Sequence, residues 1–325
     1  MKFKIVFSIP VHEHFEVILD QILNITTLNP LCAVVLHISP MFEYDKSLMQ
    51  KIQFEDALKK LDLNNFVLIN PESVRTGLFD IIQAHISNFK YVNSMIDFEY
   101  FAMLSSNELF IKAGLYDEMK KFDCGLGKKR VYKGMLWTAG IKSLNDKDLE
   151  YMREELSASA IYGSQIEGSF YKKEIFGTIS SIITSHYDYR KMKVKYAREE
   201  IYFSTIFWAL NESGKYVVNN NGCFTFVPWK RKSILVRLKE VRKYELPHTA
   251  FYSVKRVERN IRDNIRSYER QKYGYWEKEI EYCPYIDKRS LIILYAIDLI
   301  KDIIYYIKKI KSRFLYGFNF KYFYC

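Results

Sequence analysis

Two adjacent carboxylates, Glu199 and Glu200, open a segment that turns apolar and aromatic at once, reading Glu-Glu-Ile-Tyr-Phe over 199–203. A carboxylate held at a helix start can take the proton from a hydroxyl that attacks an electrophile. The structural alternative is that negative charge simply suits a helix N-terminus, where the macrodipole favours it. A second run, Lys255, Arg256, Arg259 and Arg262, is basic. It can neutralise a phosphate or another developing anion, or form a solvated face. Other chemistries lack their residues. There is no P-loop, no GxGxxG after the first strand, no HExxH and no CxxC. The six histidines (12, 14, 37, 85, 186 and 248) show no metal-ligand spacing. No Asp-x-Asp follows an early strand; Asp62 and the pair Asp97 and Glu99 are poor substitutes.

These groups belong to a chain of 325 residues, 49% hydrophobic and 27% charged, as expected of packed globular protein. The net charge of +11 is uneven. Residues 228–325 hold 23 Lys and Arg against 11 Asp and Glu, while the first 227 are near neutrality. An anionic partner should therefore meet the C-terminal third. A nucleic-acid binder is the rival reading of that charge, but no DNA- or RNA-binding motif accompanies it. The Ile, Lys, Asn and Tyr bias fits an AT-rich bacterial genome. Five dispersed cysteines (32, 124, 223, 283 and 325) fit a reducing cytosol. Residues 1–7 read as a strand and not a signal peptide. The apolar stretch 291–307 is broken by Asp298, Lys301 and Asp302, which argues against a spanning helix.

Strands and helices alternate through the first hundred residues. Apolar runs at 4–9, 31–38, 66–69 and 100–104 read as strands, the first ended by Pro10, Val11, His12 and Glu13. Helical spacing marks 15–25, 48–61 and 78–96. This order predicts an α/β fold with a mostly parallel sheet flanked by helices. Ligands in such sheets bind at the carboxyl ends of the strands, which directs attention to Pro10, Val11, His12, His37, Arg75 and the loop Ser105, Ser106, Asn107 and Glu108. Further on, 146–156, 172–185, 199–211, 256–272 and 290–311 read as helices, and 216–218 and 223–227 as short strands around a turn.

Four segments, in order, resemble the core-2/I-branching and protein xylosyltransferase group of glycosyltransferases. Val74-Arg75-Thr76-Gly77-Leu78-Phe79-Asp80 is similar to the family's aromatic-Gly turn that opens a helix. FEYFAMLSSNELFI (98–111) is similar to its "DYFILLSGQDYPI". Tyr162-Gly163-Ser164-Gln165 resembles its "GSQW", and Arg198-Glu199-Glu200-Ile201-Tyr202-Phe203 its "PDEHFF". A looser match, 251–266, is similar to the basic segment that meets the donor diphosphate in that family. The chain departs from the pattern at Ser106-Asn107-Glu108 and at Ile166, so acceptor recognition does not carry over.

The resemblance implies a GT-A-like fold and inverting transfer of a sugar, with UDP the expected donor nucleotide, to a glycan or lipid-linked glycan hydroxyl in bacterial surface polysaccharide or lipooligosaccharide synthesis. Glu200 takes the place of the catalytic base and Glu199 that of the Asp before it. Pro10, Val11, His12, His37, Arg75, Lys255 and Arg256 are expected at the donor. Ser105, Ser106, Asn107, Glu108, Gly163, Ser164, Gln165 and Glu199 are expected at donor or acceptor. No metal or other cofactor is expected. The division expected is 1–235 as transferase domain, 236–285 as a donor-phosphate segment, and 286–325 as an amphipathic, aromatic and basic extension suited to an anionic bilayer. That places the protein in the cytoplasm, peripheral to the inner face of the inner membrane, with no nucleic acid as partner. A non-catalytic, transferase-like scaffold is the alternative.

Overall fold

The computed structural model describes residues 2–13, 15–40, 47–74, 76, 81–186, 196–219, 222–227, 241–246, 249–255, 257 and 264–275. Strands β1 (Lys2–Val11), β2 (Cys32–Ile38), β3 (Val67–Ile69) and β4 (Asp97–Met103) alternate with helices α1 (Phe15–Leu28), α2 (Ser47–Lys60) and α3 (Ile81–Met95). There follow β5 (Glu108–Phe110), α4 (Leu115–Met119), β6 (Cys124–Gly125), β7 (Lys129–Arg130), α5 (Thr138–Ser143), α6 (Lys147–Glu155), β8 (Tyr162–Gly163), β9 (Phe170–Lys172), α7 (Lys173–His186), α8 (Glu199–Leu210), β10 (Thr225–Phe226), β11 (Ser253–Lys255) and α9 (Asn264–Tyr273).

The main sheet runs β3-β2-β1-β4-β9-β6. The first four strands are parallel, and β9 and β6 are antiparallel to their neighbours. This is the expected mostly parallel α/β sheet. Its central strand is buried on both faces, which is why β1 is apolar at nearly every position. Ile5, Phe7, Ile9 and Val11 enter one core beside α1, and Phe3 and Val6 enter the opposite one with α3, α7 and α8. Pro10 and Val11 continue β1 instead of ending it. Pairing with β4 stops at Ser8 opposite Met103, so Pro10 has only β2 beside it and its missing N–H breaks no ladder there.

A second, three-stranded sheet, β10-β11-β5, brings 253–255 against 108–110. Lys255 lies opposite Glu108 in its antiparallel register. Of the stretch expected as a helix over 256–272, Val257 is not helical and the described helix is Asn264–Tyr273; 216–218 forms only an isolated bridge, Val218 to Cys124. The stretch 290–311 lies outside the described residues.

Helix α1 anchors both additions through a buried polar stripe. Asn24 accepts from Phe110 N at 2.7 Å and donates to its carbonyl at 3.0 Å, while Gln21 donates to the Ser105 carbonyl at 2.8 Å. Asp20 binds Arg266 at 2.6 Å and Arg270 at 3.0 Å, with Asp20 and Arg266 fully buried. Two of the basic side chains expected to meet an anionic partner are thus spent inside the fold. Replacing Asp20 with Asn should cost about 3–5 kcal/mol, because buried guanidinium charge loses its counter-ion. Urea unfolding measures this; a loss under 1 kcal/mol would contradict the clamp.

Candidate active site

Glu200 sits in the first turn of α8, whose sequence admits no breaker before Asn211. Ser164 N donates to the Glu200 carbonyl at 2.8 Å, which fastens the end of β8 to the helix start. β8 in turn pairs with β7, Gly163 opposite Lys129. Gly163 is needed here, because a Cβ would lie 2.3 Å from the Trp137 ring. Trp137, so admitted, hydrogen-bonds the Glu200 carboxylate. Ser164 Oγ accepts from Gly127 N and donates to the Gln165 carbonyl, both at 2.7 Å. Gln165 Nε2 donates to the carbonyls of Glu167 at 2.8 Å and Thr225 at 3.1 Å. These bonds shape a cavity of about 850 Å³ whose walls include Lys129, Tyr132, Trp137, Gly163, Ser164, Gln165, Glu200, Thr225 and Phe251.

Behind Glu200 lies a concentration of carboxylates. Glu108 is buried and accepts from Ser105 N at 2.7 Å and Thr225 Oγ1 at 2.9 Å. Glu167 forms an ion pair with Lys255. Glu199 is buried, and its Oε2 has no hydrogen-bond partner among the described residues. Burial pushes Glu200 up to about 7, and the nearby Glu167 charge adds to the rise while Lys255 and the Trp137 bond oppose it. Burial likewise lifts Glu108 to about 7, again helped by Glu167, and Glu199 to about 8. A carboxylate titrating near neutrality suits a general base. Cys223 is no nucleophile: burial pushes its thiol up to about 12, and it donates to the Gln165 carbonyl at 3.1 Å.

The expected residues divide into groups. Glu200, Gly163, Ser164 and Gln165 line one cavity. Glu199 stands behind it, and Glu108 joins through Thr225. Pro10 and Val11 are the last two residues within β1, and His12 N donates to Ser106 Oγ at 3.3 Å, joining that strand end to the 105–108 loop. Ser105 Oγ donates to Asn107 Oδ1 at 2.8 Å, within the same loop. His37 is buried with its Nε2 2.9 Å from the Val74 carbonyl, so part of its ring is occupied by protein. Lys255 is engaged by Glu167. Arg75 and Arg256 lie outside the described residues. Sequence reasoning missed Glu167, Lys129, Trp137 and Tyr132; the run Lys128-Lys129-Arg130, followed by an aromatic-rich stretch, was the available signal.

No protein-family model matches the chain. Over 162 residues, 46% of this chain, it is 24% identical to a hyaluronan synthase of Pasteurella multocida, and the match spans only 16% of that relative's length. Solved structures similar to it include the galactosyltransferase LgtC with donor and acceptor sugar analogs, at 11% identity, covering 84% of this chain and 95% of that one with a TM-score of 0.41. Another is the apo form of the glycosyltransferase GlyE of Streptococcus pneumoniae, at 11% identity, covering 85% and 60% with a TM-score of 0.39.

The buried carboxyls make stability depend on pH. Their folded pKa values, like that of Glu269 at about 9, exceed the ordinary carboxylate value, so the native state holds protons that the unfolded chain has released. Stability must then fall as pH rises through the folded values. Buried His37 and His85, whose pKa values are lowered, act oppositely but mainly below pH 6.5. Between pH 6.5 and 8 the protein should lose on the order of a few kcal/mol, read by denaturant titration at each pH. Constant or rising stability over that window would contradict the buried carboxyl cluster.

Proposed function

We propose that the protein is an inverting glycosyltransferase with a GT-A-like fold, and that Glu200 is its base. The acceptor hydroxyl oxygen attacks the anomeric carbon of a nucleotide-sugar, here taken as UDP-linked. As that bond forms, the bond from the carbon to the nucleoside diphosphate breaks and the hydroxyl proton passes to Glu200. The observation that carries this reading is the Glu200 carboxylate in an aromatic-walled cavity, tuned to about 7 and tethered by Trp137. The sequence likeness to a hyaluronan synthase supports it.

The donor would lie across the carboxyl ends of β1, β2 and β4, near His12, His37 and Ser106. Arg75 and Arg256 are the proposed cations for the leaving diphosphate. Lys255 could join them only by sharing its charge with Glu167. We take the reaction to be metal-independent because no Asp-x-Asp follows an early strand, and Asp146-Lys147-Asp148 is used within the fold, Asp146 accepting from Tyr196 Oη at 2.6 Å and from Asp148 N at 3.2 Å. The proposed setting is surface polysaccharide or lipooligosaccharide synthesis at the inner face of a bacterial membrane, with 286–325 as the membrane-facing part. Among the described residues no helix is long and apolar enough to cross a membrane. The nucleic-acid reading is weakened by α9, whose Arg266 and Arg270 neutralise Asp20 instead of facing a polyanion.

Glu200→Gln should lower transfer by about 10²–10⁴-fold while the circular dichroism spectrum is retained. The wild-type product should carry the anomeric configuration opposite to the donor's, as read by NMR. Full activity in the variant, or retention of configuration, would overturn the assignment. Donor binding without turnover over a broad acceptor panel would favour a scaffold. Activity lost to a chelator and restored by manganese would overturn metal independence.

A further inference from the structure

One stretch of chain beside the cavity is strongly basic, and its Lys129 lines the cavity. The stretch 127–137 holds Lys128, Lys129, Arg130 and Lys133, all exposed, and no carboxylate. None of the four forms an ion pair among the described residues. Strand alternation turns Lys129 toward the cavity, where its Nζ lies 5.1 Å from the centre of the Trp137 ring and its charge opposes the rise in the Glu200 pKa without forming an ion pair with it. Lys128 is drawn elsewhere, over Trp208 at 4.2 Å. Exposed Tyr132 and half-buried Trp137 and Phe251 complete the wall.

The floor of this cavity is acidic, with Glu200 exposed to it and Glu167 close behind. A neutral sugar would need no cation at the mouth. An acidic one would be repelled by the floor unless a cation met it first. The aromatic rings meanwhile offer flat apolar faces of the kind that sugar rings pack against.

We propose that this cavity takes a carboxylate-bearing glycan as acceptor, with Lys129 as the counter-ion for a uronate and Tyr132 and Trp137 as platforms for its rings. This deepens the transferase reading and rests on it for the word acceptor; the binding preference itself needs no turnover. The cavity is lined by β7, β8, the start of α8 and the strands near Thr225, and none of β1, β2 or β4 contributes to it. The donor half of the site is therefore left to those strand ends, and Lys129 is assigned to the other substrate.

The test titrates a uronate-containing hexasaccharide, and the same hexasaccharide with its carboxylates reduced to alcohols, into the protein by calorimetry. Wild type should bind the acidic chain about tenfold tighter or more, as a charge-assisted contact provides. Added salt should erode the preference. Lys129→Gln should abolish it and leave the reduced chain bound as before; Tyr132→Ala should weaken both chains alike. Equal wild-type affinities, binding of neither chain, or a preference that survives Lys129→Gln would overturn the proposal. Glu200→Gln should keep the preference while losing transfer. If it instead keeps transfer, the base assignment fails and the preference is still measured.

Discussion

Glu108, Glu167 and the adjacent pair Glu199 and Glu200 converge from three separate stretches of chain on the ammonium group of Lys255, with Lys129 acting on Glu200 as well. Two cations cannot offset four anions in a poorly solvated interior, so some of the carboxyls must stay protonated near neutral pH. The crowding sets how Glu200 titrates, and it occupies the lysine that could otherwise have met a phosphate. At the cavity the excess of carboxyl groups is met by Lys129, whose charge acts on Glu200 from the lining they share. The catalytic reading and the acceptor reading both descend from this excess of negative charge.

The fold holds that cluster together against its own repulsion. Register across β5 and β11 fixes Glu108 opposite Lys255. Gly168, with φ of 75° and a Cβ position 2.3 Å from Thr225 N, makes the tight turn that follows Glu167, where no other residue fits. The pair Glu199 and Glu200 is delivered by the first turn of α8, where the helix dipole favours ionised carboxyl groups while burial disfavours them. Burial prevails at both positions. Further out, the buried polar stripe Asp20, Gln21 and Asn24 pins the 105–110 segment and α9 to one helix, so the second sheet cannot drift from the first.

The parallel half of the fold was legible because β1 and β2 are apolar runs covered on both faces and the helices between them keep a 3.6-residue period. The antiparallel strands were not. β5, β6, β9 and β11 are two or three residues long, too short for any period to show, and the pairing of β5 with β11 joins residues more than a hundred apart. At the site, the glutamate pair and the Gly-Ser-Gln run were readable as local signals. Glu167 was not, because its meaning comes from Lys255, 88 positions away. Lys255 itself was read by its charge alone; proximity to Glu167 redefined it. Asp20 and Asn24 fall among the polar positions of the 15–25 helical pattern, and they are buried by what packs above them.

The pH dependence of kcat/KM for transfer tests the central claim most directly, since it reports the ionisation of the free enzyme's base. The rate should climb with pH along a limb centred near 7, where the buried Glu200 loses its proton. A rate already at its plateau by pH 5, as for a solvated carboxylate, would show that the crowded glutamates do not tune the base and that the account is wrong at its centre.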